Sequence, residues 1–175
     1  MDVAELTRLQ NQGTRLKFLF FWGHQTPGPG YLSQWWPSPF IVEGVTYATA
    51  EHFMMAEKAR LFGDEETAAA IIAAPHPGRA KDLGRSIRNF DEQTWQDHRV
   101  AIVARGSEAK FAQNTDLRDY LLGTRNRVLV EASPLDRIWG IGLTVDDPRA
   151  EDVTAWRGQN LLGFALMTTR DTLTP

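Results

Sequence analysis

The chain has 175 residues, of which 42% are hydrophobic and 10% aromatic, so it is long and apolar enough to bury a core. A formal net charge of -3 argues against a protein that holds nucleic acid by bulk electrostatic attraction. The absence of cysteine excludes a disulfide framework, a thiolate nucleophile and a cysteine-based zinc site. We expect a single domain over residues 1–175.

The hydrophobic pattern, the amino-terminal residues and the histidines bear on membrane contact, export and metal binding. No stretch approaches the roughly 20 apolar residues that cross a bilayer, and residues 1–12 lack the basic start and apolar run of an export signal. We therefore expect a cytoplasmic protein without membrane contact. The histidines are His24, His52, His76 and His98, and their spacing matches no metal-binding motif. We expect them to cap helices or form hydrogen bonds, and we expect no metal site.

The elements are predicted in chain order from hydrophobic period and capping residues. The sequence predicts a helix over 2–16, a strand over 17–22 and an irregular Pro/Gly-rich loop over 25–30. Two branched and aromatic runs flank Glu43-Gly44 and predict a hairpin, 40–42 with 45–47. The remaining predictions are helices over 50–62, 65–74, 92–112, 115–122 and 158–173, with Thr49, Asp64 and Asp91 as N-caps, and a strand over 127–131. Together they indicate an α+β fold, predominantly helical, packed on a small, mostly antiparallel sheet.

The helix predicted over 50–62 carries two charges on an apolar stripe. Glu51 and Lys58 are seven positions apart and therefore nearly superpose, about 10 Å from each other along the axis. Met54 and Met55 lie between them on the same side. One reading is that a charged side chain points into a pocket. The other is that Glu51 favours the helix dipole while Lys58 extends to solvent past its methylenes.

A basic segment over 78–88 is a candidate anion site. It contains Arg79, Lys81, Arg85 and Arg88 after a glycine that exposes amide groups at a helix start. A solvated helix face has the same composition, so both readings stay open. The aromatic residues Trp22, Trp35, Trp36 and Trp139 fall in predicted loops and suit either core packing or stacking on a planar ring.

Several short motifs occur in an order that resembles one known family. They are Phe21-Trp22-Gly23, Leu32-Ser33-Gln34-Trp35, Phe40, Gly44, Tyr47, Glu51-His52, Ala56-x-Lys58-Ala59, Gly78-x-Ala80-Lys81-x-Leu83-Gly84-Arg85, Trp95-x-x-x-Arg99, Glu131-Ala132-Ser133-Pro134-x-Asp136-x-x-Trp139-Gly140-x-Gly142 and Gly158-x-Asn160-x-Leu162-Gly163-x-x-Leu166-Met167-x-x-Arg170. From about residue 18 to residue 171 the chain resembles the NADAR family, also called YbiA-like. The family commonly has Ser-Asn where this chain has Ser33-Gln34.

This resemblance implies an enzyme, an N-glycosidase that cleaves the bond between ribose C1 and an exocyclic amine, with no cofactor. The substrates it implies are phosphoribosylamino-pyrimidine intermediates of riboflavin synthesis, or ADP-ribosylated guanine, as a free metabolite or within a nucleic acid. Such a glycosylamine opens to an imine, and a lysine amine can exchange with the departing amine to form a Schiff base. Lys58 is the candidate nucleophile.

The remaining site residues follow from this assignment. Glu51 and Asp136 are the candidate acids or bases that handle sugar, water and base protons. The candidate substrate-binding residues are Trp22, Trp35, Trp95 and Trp139 for the planar ring, Arg79, Lys81 and Arg85 for phosphate, and Asn160, which orders the pocket through hydrogen bonds. Two alternatives remain open: hydrolysis by the two carboxylates without a covalent lysine, and a non-catalytic module that binds ADP-ribose or NAD.

Overall fold

A computed structural model describes residues 1–174 of the chain. Its contacts divide the chain into two compact units. Unit 1 comprises Met1–Ser33 and the residues from Asp119 onward, and unit 2 comprises Gln34–Arg118. The single domain expected over residues 1–175 stays a prediction. None of the helices formed by residues 1–174 has both the length and the apolar content that spanning a bilayer requires.

The regular elements alternate helices with two pairs of short strands. In chain order they are α1 (Val3–Asn11), β1 (Phe18–Phe21), β2 (Phe40–Val42), β3 (Val45–Tyr47), α2 (Ala50–Leu61), α3 (Glu65–Ile72), α4 (Pro77–Gly84), α5 (Glu92–Gln113), α6 (Thr115–Gly123), β4 (Val128–Glu131) and α7 (Leu161–Leu173). Two short 3-10 helices span Pro29–Leu32 and Val153–Ala155. The predicted α+β fold with predominant helix is confirmed.

The predicted N-caps are confirmed. The Thr49 hydroxyl accepts a hydrogen bond from the His52 amide, and the Asp64 and Asp91 carboxylates accept from amides three residues on. The irregular loop predicted over 25–30 is wrong at its end, because Pro29 begins a 3-10 helix, where its fixed φ and missing N–H are tolerated. The last helix starts later than predicted because Asn160, at φ +52°, interrupts the helical backbone.

The strands pair in two separate sheets. In unit 1, β1 runs parallel to β4, with Phe18 opposite Val128 and Phe21 opposite Glu131. In unit 2, β2 and β3 form the predicted antiparallel hairpin. The expectation of mostly antiparallel pairing is therefore wrong for β1 and β4. Parallel pairing is possible there because the long chain segment between the two strands provides the crossover connection.

Unit 2 is built around α2. This helix packs against α3, α4 and α5, so residues 50–56 are buried all along its first half. At one crossing the Phe53 ring lies against Gly106 of α5, where a Cβ would come within 2.5 Å of it. At another, a Cβ on Gly84, the last residue of α4, would overlap the Met55 sulfur. Both glycines therefore let a neighbouring helix approach α2 closely.

We expect Gly84→Ala to lower the free energy of unfolding by about 1–3 kcal/mol, because the added methyl group forces Met55 or α4 to move. Urea denaturation measures the change. In a Met55→Ala background the same substitution should cost much less, since the overlapping sulfur is gone. Gly123→Ala is the control, because a Cβ there meets nothing within 4 Å. Equal costs of Gly84→Ala in both backgrounds would contradict the packing argument.

Lys110 lies on α5 and is 1% exposed, which makes it the most deeply buried of the chain's four lysines. Burial lowers the pKa of its amine from 10.5 to about 7. Between those two pH values the unfolded chain holds a proton at this position that the folded chain has lost. Stability must therefore rise with pH in this window, and Lys110 adds no pH dependence below about pH 7, where both states hold the proton.

We expect the free energy of unfolding to rise between pH 7 and pH 9, by at most about 1.4 kcal/mol per pH unit from this residue. Urea denaturation at pH 7, 8 and 9 measures the slope. Lys110→Met should make the rise shallower, while Lys17→Met, at an exposed lysine, should leave it unchanged. The assignment is incorrect if Lys110→Met retains the slope of the unchanged chain.

Candidate active site

Groups of unit 2 hold the Lys58 amine, and the side chain is half-buried. Its Nζ donates a hydrogen bond of 2.9 Å to the Gly84 carbonyl at the end of α4. The same nitrogen lies 4.4 Å from the centroid of the Phe90 ring and 5.5 Å from that of Trp95. We call Lys58, Gly84, Phe90 and Trp95 the Lys58 site.

The environment of this site changes how readily Lys58 takes up a proton. Burial lowers the pKa of the amine, because the charged form loses hydration. The Glu92 carboxylate, on the first turn of α5, acts in the opposite direction and raises it. Burial is the larger effect, so the neutral amine is more populated than on an exposed lysine. A neutral amine is the form that can attack carbon.

Glu51 lies in the first turn of α2 and is only 3% exposed. Its backbone amide donates to the Gln34 carbonyl, so the segment that contains Gln34 and Trp35 is attached to the start of α2. The axial separation from Lys58 is about 10 Å, because both residues belong to one α-helix. The prediction that both lie on α2 is confirmed. Against the reading in which Lys58 extends to solvent, its amine contacts the Gly84 carbonyl and two rings. That a charged side chain of α2 points into a pocket stays a prediction.

The beginning of α4 brings basic and aromatic groups together. His76 caps the helix, and its Nδ1 accepts from the Arg79 amide at 3.0 Å. The Lys81 Nζ lies 6.0 Å from the centroid of the Trp35 ring, and Gly78 faces both that ring and His76. We call His76, Arg79, Lys81 and Trp35 the α4 cluster. It combines cationic groups with an aromatic face.

The other two predicted basic residues are already paired with acids. Arg85 donates to Asp82 at 2.8 Å, and both side chains are exposed, so this ion pair is weak. Arg88 donates to the Asp64 carboxylate through its guanidinium at 2.7 Å and through its backbone amide at 2.9 Å. Arg88 therefore anchors the α4–α5 connection to α3. Arg79 and Lys81 are the more available cations of the segment.

In unit 1 the candidate residues follow the ends of the parallel strands. Trp22 comes directly after β1 and is 62% exposed. The Ala132 amide after β4 donates to the Phe21 carbonyl, so both chain segments leave the sheet side by side. The carboxyl ends of parallel strands are common places for ligands. Trp22 and the 133–142 loop thus share one edge of unit 1.

Asp136 organises this loop. Its Oδ1 accepts hydrogen bonds from the Ile138 amide at 2.8 Å and the Trp139 amide at 2.7 Å. The Asp136 amide in turn donates to the Ser133 hydroxyl. One carboxylate oxygen therefore has a structural role that sequence reasoning did not include. Trp139, whose orientation this turn fixes, is half-buried.

Asn160 connects the loop to the sheet and is fully buried. Its side-chain oxygen accepts from the Glu131 amide at 3.0 Å, and its side-chain nitrogen donates to the Leu129 carbonyl at 2.9 Å. These bonds attach the start of α7 to β4, and the predicted role of Asn160 in ordering a pocket stays a prediction. Direct contact between Asn160 and substrate stays a prediction.

The predicted site residues thus form one group in each unit. Unit 2 contains Trp35, Glu51, Lys58, Arg79, Lys81, Arg85 and Trp95, and unit 1 contains Trp22, Asp136, Trp139 and Asn160. That the two groups face one cleft stays a prediction. Sequence reasoning missed Phe90 and Glu92 beside Lys58. The only sequence signal was an aromatic residue and an acid near the start of a predicted helix.

The histidines behave as expected where the structure gives their bonds. The His52 ring bonds to the Thr49 hydroxyl and the Ala74 carbonyl, and the His98 ring bonds to the Thr94 carbonyl. His76 caps α4. Within residues 1–174 no three His, Cys, Asp or Glu side chains are grouped as a metal site would require.

Comparison with known proteins tests the resemblance drawn from the sequence. The model of the NADAR domain matches residues 20–174. N-glycosidase R617 of Acanthamoeba polyphaga mimivirus is 42% identical over 162 residues, which cover 89% of this chain and 95% of that protein. Riboflavin biosynthesis protein VVA0006 of Vibrio vulnificus (strain YJ016) is 30% identical over 144 residues, 82% of this chain but 35% of that protein.

N-glycosidase YbiA of Escherichia coli (strain K12) is 31% identical over 135 residues, which cover 77% of this chain and 76% of that protein. Its solved NMR structure superposes with a TM-score of 0.74 at 29% identity, covering 90% of this chain and 84% of that chain. The match of sequence motifs, family model and fold leads to one conclusion: the chain belongs to the NADAR domain family.

Proposed function

We propose that this chain is an N-glycosidase that cleaves the bond between ribose C1 and an exocyclic amine through a Schiff base on Lys58. The observation that carries the proposal is the Lys58 site, in which a lysine amine is partly removed from water and its pKa is lowered. Two relatives named N-glycosidase, R617 and YbiA, support the class of reaction. A module that only binds ligand has no need of such an amine.

The reaction balances without a cofactor. The glycosylamine ring opens as the bond between C1 and the ring oxygen breaks, which leaves a C1 imine. The neutral Lys58 amine adds to C1, and the exocyclic amine leaves with a proton as a Schiff base to Lys58 forms. Water then adds to C1, the sugar departs as an aldehyde, and the free lysine returns. One water molecule is consumed in each turnover.

Two carboxylates are proposed to move the protons. Glu51 is buried two helical turns from Lys58, so it can act on the sugar hydroxyl and on water without holding the amine in a tight ion pair. For Asp136 the structure shows Oδ1 engaged with two loop amides, so we assign proton exchange to Oδ2. Direct hydrolysis by these two carboxylates is the competing mechanism.

The proposed substrates share a phosphorylated ribose and a flat base. The α4 cluster and Arg85 supply cations for phosphate, and Trp22, Trp35, Trp95 and Trp139 supply aromatic faces for the base. The relative VVA0006 is named for riboflavin biosynthesis, which is why we take a phosphoribosylamino-pyrimidine intermediate as the first candidate. ADP-ribosylated guanine is the second candidate, and product analysis on both substrates side by side distinguishes them. A cytoplasmic location stays a prediction.

We expect borohydride to reduce the proposed Schiff base during turnover and to leave a ribose-containing fragment on Lys58, because an imine becomes a stable secondary amine on reduction. Peptide mass spectrometry locates the adduct among the four lysines of the chain. Lys58→Arg keeps the positive charge but removes the free amine, so turnover should fall by at least about a hundredfold.

The control for this experiment is Lys17→Arg, at an exposed lysine of unit 1, which should retain both adduct and rate. Lys58→Met should behave like Lys58→Arg if the role is nucleophilic. Near-normal turnover of Lys58→Arg without an adduct would favour the carboxylate mechanism. Tight binding of both substrates without turnover by the unchanged chain would favour a binding module.

We expect Lys81→Glu to raise KM about tenfold, equal to about 1.4 kcal/mol, with little change in kcat, because the α4 cluster would lose one phosphate contact. Steady-state kinetics with each phosphorylated substrate measure both constants. Lys17→Glu makes the same change in net charge at an exposed site of unit 1 and should leave KM unchanged. An equal rise in KM in both variants would show that the α4 cluster is only a solvated helix face.

A further inference from the structure

Phe90 covers the Lys58 amine from the connection between α4 and α5. Its ring centroid is 4.4 Å from the Lys58 Nζ, and its ring meets the Phe62 ring edge to face at 5.2 Å. The residue is nonetheless 42% exposed. One part of the ring therefore faces solvent while another shields the amine. No motif of the sequence marks this position.

The connection that carries Phe90 is fixed at its base by Asp64. This carboxylate is buried at the start of α3 and accepts from both the guanidinium and the backbone amide of Arg88. These bonds hold the pKa of the Asp64 carboxyl well below its usual range, so the carboxylate stays ionised and bonded to Arg88 near neutral pH. Asn89, at φ +56°, then turns the chain and directs Phe90 toward α2.

A ring above an amine has two opposite effects. The face of the ring attracts the ammonium, which is worth about 0.5–1 kcal/mol at a partly exposed site and favours the charged form. The same ring excludes water, which favours the neutral form and can exceed the attraction. Burial is the leading cause of the lowered pKa of Lys58, and the Phe90 ring is one of the groups that bury the amine, so we expect exclusion of water to be the larger effect here.

We propose that Phe90 is a positioning residue that shields the Lys58 amine from water and keeps it beside the Gly84 carbonyl. The Asp64–Arg88 pair holds Phe90 in this place. The proposal rests on the proposed role of Lys58 as nucleophile and adds the group that keeps it reactive. Because Phe90 acts through Lys58, its removal should change the pH dependence of the amine before it changes the affinity for substrate.

Polar groups from α5 and α4 also lie near the Lys58 amine, and acids of α3 pair with the connection that carries Phe90. From α5, the Glu92 carboxylate raises the pKa of the amine. From α4, the neutral Gly84 carbonyl accepts a hydrogen bond from the amine. At the start of α3, Asp64 and Glu66 both pair with Arg88 of this connection. Replacement of Phe90 does not remove these groups. A change in the pKa of Lys58 in Phe90→Ala therefore reports the loss of shielding by the ring.

The test is competitive acetylation of the intact chain with trace acetic anhydride at a series of pH values, followed by mass spectrometry of each lysine peptide. The midpoint of the labelling curve gives the pKa of each amine and requires no substrate. In Phe90→Ala the Lys58 midpoint should rise by at least about 0.5 unit, because water reaches the amine. The acidic limb of kcat/KM should move to higher pH by the same amount.

Comparison of Phe90→Ala with Phe90→Leu separates the shielding of the amine from its attraction to the ring. Phe90→Leu keeps an apolar cover without an aromatic face, so its Lys58 midpoint should stay at or below that of the unchanged chain. Val100→Ala removes another exposed apolar side chain of unit 2 and should change neither midpoint nor rate. Lys17 serves as the exposed reference in every sample. Circular dichroism verifies that each variant is folded.

The outcomes distinguish the two proposals. A lower Lys58 midpoint in both Phe90→Ala and Phe90→Leu would show that attraction is the larger effect and would overturn the shielding role. An unchanged midpoint in Phe90→Ala would overturn it as well. A raised midpoint without any change in the kcat/KM profile would support the shielding role but would contradict the proposed nucleophile.

Discussion

The close approach of α4 to α2 at Gly84 is the constraint on which the Lys58 site depends. Since Gly84 has no side chain, Met55 of α2 lies against the backbone of α4, and the last carbonyl of that helix comes within 2.9 Å of the Lys58 amine. The carbonyl end of a helix favours a cationic group. The long Lys58 side chain is thereby held by α2 at its backbone and by the Gly84 carbonyl at its amine.

Fixing the amine in this place has an electrostatic consequence. The rings of Phe90 and Trp95 replace water around the ammonium, and one carbonyl does not replace all of its hydration. Glu92 compensates in part and keeps the pKa from falling further. Glu51 is too far along the same helix to form a close ion pair with Lys58. This separation along α2 is compatible with the proposed division of acid–base and nucleophilic roles between Glu51 and Lys58.

Features set by neighbouring residues could be predicted from the sequence, and features set by distant ones could not. Thr49, Asp64 and Asp91 mark helix starts because a cap bonds to an amide two or three residues away. The parallel pairing of β1 with β4 was missed because strand composition does not specify direction. The position of Phe90 over Lys58 was missed for a similar reason. It depends on the Arg88 bonds to Asp64, which join two separate segments of chain.

A lowered pKa does not by itself mark a lysine as a candidate nucleophile, and the two lysines of unit 2 whose pKa burial lowers differ in exposure. Burial lowers the pKa of both Lys58 and Lys110, and the effect at Lys110 is large enough to bring its pKa to about 7. Lys110, however, is 1% exposed, so a sugar carbon could reach its nitrogen only if α5 moved. Lys58 is half-buried beneath a ring that itself borders solvent. A catalytic amine must combine partial dehydration with access for the substrate, and of these two lysines only Lys58 is partly exposed, which is why we propose Lys58 and not Lys110 as the nucleophile.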